Sequence, residues 1–253
     1  MKKNINLLLL ILHLFLIEIS AQSSNGDINR ILKDYRTYWY YLYNEINLTK
    51  TFTPVNQNGK KISKKSFLDS LITGKYIPLK AESKTLSYKL IRPPKTVSID
   101  IFRSTIVYAH QQKYYERTIG NRIKGYSFRD IYNRKYDESN CLGKVLLINT
   151  WFTKCQPCIQ EIPELNKFAV KYKHRDDIVL FGFANDGREK LLRFQDKFPF
   201  YFTIIPDMEG FTRTNFKIPY YPAFILVNRY GKIIKSAGKL TDIIDEFEIE
   251  INR

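Results

Sequence analysis

The chain has 253 residues, an apolar fraction of 44 % and a formal net charge of +16. That length holds one domain of ordinary size plus a smaller one, and the apolar fraction excludes an intrinsically disordered chain. Acidic residues are interspersed with the basic ones and no long Lys/Arg block occurs. With no nucleic-acid motif present, the charge reads as solvated basic faces, and no nucleic-acid partner is expected.

At the N-terminus, Lys2 and Lys3 precede the apolar run Leu7–Ile17, and Ser20 and Ala21 supply small residues before Gln22. This is the pattern of a secretory signal peptide over residues 1–21. The run is shorter than the roughly 20 residues needed to span a bilayer. Glu18 and Ile19 depart from an ideal cleavage site, so an uncleaved membrane anchor is the second reading. Either way the protein is expected to be extracytoplasmic, where disulfides persist. Of its three cysteines two form a close pair, Cys155 and Cys158, and Cys141 stands alone.

Residues 22–117 read as a small, mainly helical region of unknown function. Ile28, Ile31, Leu32, Tyr35, Trp39 and Leu42 recur at helical spacing, predicting one surface helix capped by Asn25 or Asp27. A loop or strand is expected around Leu48–Val55, then a turn at Asn58-Gly59. Ser63 can cap a short helix that ends at Gly74. A strand over Tyr88–Ile91 stops at Pro93-Pro94, and a second helical pattern runs from Lys95 toward Glu116. His110 on that helix reads as a surface or packing residue.

The character changes near Thr118, and residues 118–253 read as an α/β domain. Tyr126–Asn140 predicts a hairpin, and Val145–Asn149 a buried strand followed by a helix to about Lys173. Strands are expected at Ile178–Ala184, Tyr201–Ile205, Ala223–Val227 and Lys232–Ser236. Helices are expected at Arg188–Phe198, Phe211–Phe216 and Thr241–Ile251. Buried strands alternating with helices imply a mixed sheet with helices packed against it.

Cys155 and Cys158 sit where the first buried strand passes into a helix, with Pro157 between them. Two thiols at that position suit dithiol–disulfide exchange. A free thiol with pKa near 8.5 is mostly protonated at neutral pH. The partial positive charge of the helix N-terminus and the neighbouring Lys154 both favour thiolate at Cys155. Cys155 therefore reads as the attacking thiol and Cys158, one turn on, as the resolving one. Glu161 lies a further turn along that face, where a carboxylate can take or return the proton of Cys158. Pro163 cannot donate a helical bond and should kink the helix beyond the site. On these residues alone a structural bridge and half a zinc site remain alternatives. Zinc would need further ligands, for which only Cys141 and His174 are near in sequence. Cys141 itself reads as a small buried hydrophobe.

The run from Asn149 to Leu165, Asn-Thr-Trp-Phe-Thr-Lys-Cys-Gln-Pro-Cys-Ile-Gln-Glu-Ile-Pro-Glu-Leu, resembles the active-site block of TlpA/ResA-type thiol–disulfide oxidoreductases of the thioredoxin superfamily. Downstream, Tyr221-Pro222-Ala-Phe-Ile-Leu-Val resembles the cis-proline strand of that family. The resemblance covers about residues 118–250. It implies a thioredoxin-like fold with a central mixed sheet and a βα insertion at Arg188–Ile205. It also implies that Pro222 is cis against the disulfide, that the Tyr221 backbone pairs with an extended substrate, and that Glu161 is the active-site glutamate. The implied activity is reduction of protein disulfides without a cofactor, often for cytochrome c maturation, with electrons from a membrane thiol donor. Two positions facing the substrate depart from the family. Lys154 replaces a frequent Trp, and Tyr221 replaces a small residue. Two rival functions are a binding module with vestigial cysteines and a thiol peroxidase. The peroxidatic motif fails, because Phe152 and Ile148 stand where Thr and Pro belong.

Overall fold

The N-terminal helical pattern is cut in two by Asp34. In a computed structural model that describes residues 28–253, helix stops at Ile31 and restarts as α1, Tyr35–Asn44. The signal-peptide segment and the proposed Asn25 or Asp27 cap lie outside the described residues. Asp34 has extended backbone and its side chain accepts the Thr37 N–H at 2.8 Å, which makes it an N-cap. The expectation of one continuous helix is thereby corrected. The restart also changes the buried face: Tyr38, Tyr41 and Leu42 are buried, whereas Tyr35 and Trp39 are exposed.

The remaining elements of this N-terminal unit are β1 (Thr53–Val55), α2 (Lys64–Ile72), β2 (Ile77–Lys80) and β3 (Ser87–Ile91). Ser63 caps α2 and Gly74 follows it at φ +69°, as expected. The strands form a sheet in the order β1-β3-β2, so the region holds more strand than its mainly helical reading anticipated. Helix α3 (Ile99–Thr118) follows, and the division of the chain into two units falls inside it, between Ala109 and His110.

In the second unit the C-terminal part of α3 is followed by a hairpin, β4 (Ser127–Arg129) and β5 (Lys135–Asp137). Strand β6, Val145–Trp151, comes next, and every one of its residues is buried. Helix α4 (Gln156–Tyr172) leads to β7 (Ile178–Ala184), and α5 (Arg188–Gln195) to β8 (Thr203–Ile205). After a helical segment at Glu209–Phe216 come β9 (Ala223–Val227), β10 (Ile233–Ala237) and the closing helix α6 (Ile244–Ile251). The sheet order is β10-β9-β6-β7-β8, with β6, β7 and β8 parallel and β9 antiparallel to both of its neighbours. The fold is α/β and thioredoxin-like, with α5 and β8 as the added βα unit at one edge.

Side chains of β6 alternate between two cores, as the strand period requires. Val145, Leu147 and Trp151 face the core built with α4 and α6, and that core contains both Cys155 and Cys158. Leu146 and Ile148 face the opposite core with Tyr115, Tyr126 and Cys141. A strand covered on both faces has a continuous apolar sequence, which is why β6 and β7 are so plain in the sequence. Helix α4 runs on through Pro163 as far as Tyr172.

Gly182 in β7 is required by close packing. A Cβ there would lie 2.7 Å from Phe200 Cε1 and 3.1 Å from Trp151 Nε1. Both rings are buried and meet edge to face at 5.3 Å. Gly182→Ala should therefore cost about 1–3 kcal/mol of unfolding free energy through overpacking. Urea titration of the oxidised protein checks this, and an unshifted midpoint would show that Phe200 yields freely.

Candidate active site

Cys155 is the N-cap of α4, at φ −79° and ψ 96°, and its sulfur accepts the Cys158 N–H at 3.3 Å. The chain enters through a tight turn in which the Cys155 N–H donates to the Phe152 carbonyl at 3.0 Å. Pro157 occupies the first helical turn, where its missing N–H has no intrahelical partner to forgo. Cys155 and Cys158 are joined as a disulfide with Cα atoms 5.3 Å apart. Both are buried, at 5 % and 3 % exposure, while Lys154, Gln156 and Pro157 around them are exposed. The sulfurs are thus reached only by a partner in direct contact with this surface. When reduced, a thiolate at Cys155 would face the positive end of α4.

The opposite wall is the start of β9. The Tyr221–Pro222 bond is cis, and Pro222 is buried. Ala223, the next residue, pairs in register with Thr150 of β6. The Thr150 hydroxyl accepts the Ala223 N–H at 3.1 Å and lies 3.3 Å from the Ala223 carbonyl oxygen. Thr150 therefore fastens the proline loop to the strand that delivers the cysteines, a role its identity alone did not reveal. Tyr221 packs edge-on against Phe152, with ring centroids 5.5 Å apart, and its hydroxyl donates to Asn185 Oδ1 at 3.2 Å. Tyr220 belongs to the other side of the sheet, against Tyr114, so of the two tyrosines only Tyr221 accompanies the disulfide. On the cysteine side, Asp186 Oδ2 accepts the Thr153 N–H at 2.6 Å. Burial disfavours charge on Asp186. Contacts with Lys190 and with the Thr153 N–H outweigh that, and hold its carboxyl below the usual range.

Glu161 lies three residues beyond Cys158 on α4. Desolvation pushes its carboxyl up to about 7, with Lys239 opposing the shift and Asp242 adding to it. Its Oε2 is buried with no hydrogen-bond partner. Asn149 Nδ2 and Trp151 Nε1 are also buried and unpartnered, and among the described residues such atoms occur only between Asn149 and Glu161. Native proteins leave few buried polar groups unpaired, and those left mark sites under constraint other than stability. A carboxylic acid poised to ionise near neutral pH beside a buried dithiol can hold or release a proton there. Cys141 is not brought to the pair; it is buried in the opposite core, where burial raises its thiol pKa. No cluster of His, Cys, Asp and Glu fit for a metal occurs among the described residues.

Residues 119–236 match the family model described as the AhpC/TSA family. The match lies wholly within the second unit, and that unit is similar to thioredoxin-superfamily proteins of the TlpA/ResA type. The thiol-disulfide oxidoreductase ResA of Halalkalibacterium halodurans is 26 % identical over 130 residues, covering 51 % of this chain and 74 % of that protein. The thioredoxin-like protein YneN of Bacillus subtilis is 28 % identical over 116 residues, covering 45 % and 68 % respectively. Among solved structures, a thiol-disulfide oxidoreductase from Bacteroides fragilis overlays 51 % of this chain and 98 % of its own. Its TM-score is 0.46 at 21 % identity.

The raised pKa of Glu161 has a thermodynamic signature. Its folded value stands above the ordinary 4.5, so the native protein holds this proton more tightly than the unfolded chain. Stability should fall as pH rises from about 4.5 to about 7, and level off above that. The expected loss is about 1–3 kcal/mol, and Glu161→Gln should remove it. Urea unfolding of oxidised wild type and variant at pH 5 and pH 8 measures the difference. Parallel pH dependence in both proteins would place the titrating group elsewhere.

Proposed function

We propose that residues 118–253 form a protein dithiol–disulfide oxidoreductase that works outside the cytoplasm and reduces disulfides of other proteins. The observation that carries this reading is the Cys155–Cys158 disulfide at the N-cap of α4, one turn from the Glu161 carboxyl, whose Oε2 is buried without a hydrogen-bond partner. The relatives named thiol-disulfide oxidoreductases support it. Export is supported by the signal-peptide pattern of residues 1–21. No described helix is long and apolar enough to cross a membrane.

In the reaction, the Cys155 thiolate attacks one sulfur of a substrate disulfide. A mixed disulfide forms and the first substrate thiolate leaves. Glu161, as carboxylate, takes the proton of the Cys158 thiol. The Cys158 thiolate then attacks Cys155 Sγ, closing the internal disulfide and expelling the second substrate thiolate. Two electrons have passed to the substrate, and the protein is left oxidised. Restoring the dithiol requires a second thiol donor, for which a membrane thiol protein is the proposed partner. Tyr221 and Pro222 present backbone to the substrate segment, and Lys154 stands at its rim.

The dithiol form should reduce insulin, and Cys155→Ser should abolish that activity. Wild type without activity would favour the binding-module alternative. Cys158→Ala should accumulate mixed disulfides on Cys155, detectable as adducts released by dithiothreitol; none forming would reverse the roles of the two cysteines. Glu161→Gln should slow exchange about tenfold or more at pH 7. The deficit should shrink at pH 9, where hydroxide is plentiful enough to take that proton instead, and stopped-flow rates at the two pH values test the proton role.

A further inference from the structure

Two consecutive residues at the end of β7 hold both walls of the redox site. Asn185 is fixed by its own N–H, which donates to the Trp151 carbonyl at 3.1 Å, and its Oδ1 receives the Tyr221 phenol at 3.2 Å. Asp186 receives the Thr153 N–H, two residues before Cys155. The proline wall and the cysteine wall are therefore referred to the same two residues of the bend that follows β7. Tyr221 and Phe152 pack against the core that contains Cys155 and Cys158, yet neither ring is fully buried. Their outward surfaces lie beside the residues that a substrate segment must pass.

An unrestrained tyrosine here would choose among rotamers and lose that freedom whenever a substrate docked. A phenol tethered at its far end and met edge-on by Phe152 keeps one rotamer, so the aromatic wall exists before binding. We propose that Asn185 is a positioning residue that holds Tyr221 against Phe152, so that the site selects protein disulfides whose cysteine is flanked by an apolar side chain. This rests on the redox reading of Cys155 and Cys158. A merely structural role would have the same hydrogen bond satisfy a half-buried phenol and leave substrate choice untouched.

The full-length protein, fully reduced beforehand, is mixed in single turnover with either of two peptide disulfides that differ only in Leu or Ser beside the cysteine. Wild type should show the lower half-saturating concentration for the Leu peptide. Asn185→Ala and Tyr221→Phe should each raise that concentration about three- to tenfold. The limiting rate should stay within about twofold and the Leu/Ser preference should narrow. The Cys155–Cys158 midpoint potential, measured against glutathione, should stay at the wild-type value. The proposal is overturned if wild type shows no Leu preference, if both variants keep wild-type half-saturation, or if a shifted potential accounts for their rates. Tyr221→Phe keeps the ring and removes only the tether, so it decides the matter alone should Asn185→Ala not fold. A wild type that reduces neither peptide would sink the redox reading itself, an outcome distinct from variants that match an active wild type.

Discussion

Exclusion of water at the β6–α4 junction is the constraint on which the site depends. The strand has no exposed residue, and the helix that follows starts with two buried sulfurs. Stability and chemistry come from that one condition. Burial of Val145, Leu147 and Trp151 against α4 and α6 anchors the sheet. The same dry surroundings keep Glu161 largely protonated below pH 7 and leave Asn149 and Trp151 with unmet donors. In water a glutamate carboxyl is almost fully ionised at neutral pH, too far from its pKa to hold a proton there.

Geometry is kept by a few polar ties between segments distant in sequence. Thr150 to Ala223, Asn185 to Tyr221 and Asp186 to Thr153 join β6, the end of β7 and the start of β9. Such bonds contribute only about 0.5–1.5 kcal/mol each to stability. Their effect is to hold the cis-proline loop and the cysteine turn in one spatial relation, which ordinary core packing does not specify to the same degree.

Much of this was legible in the sequence because burial on both faces writes an unbroken apolar run. Strands β7 and β9 fall where those runs predict, and β6 extends two residues further, through Thr150 and Trp151. The cysteine pair and Glu161 are marked by spacing, since one helical turn fixes which residues share a face. Elsewhere, local and tertiary signals compete. The apolar period from Ile28 to Leu42 looks continuous, but a capping aspartate overrides it. Strand β2 carries Pro78, which argues against a strand, yet β2 is an edge where a missing donor is tolerated. Thr150 and Asn185 are ordinary polar residues whose partners lie 73 and 36 positions away, and no local pattern announces such pairs.

Cys141 gives the molecule a built-in thiol count. In the disulfide state it is the one free cysteine, and it is sealed in the core on the far side of the sheet from the redox pair. Unfolded, the protein therefore offers a thiol reagent one sulfur if the pair was oxidised and all three if it was reduced. Counting thiols in denaturant with a chromogenic disulfide thus reads the electron content of the pair, without a label or a mutation.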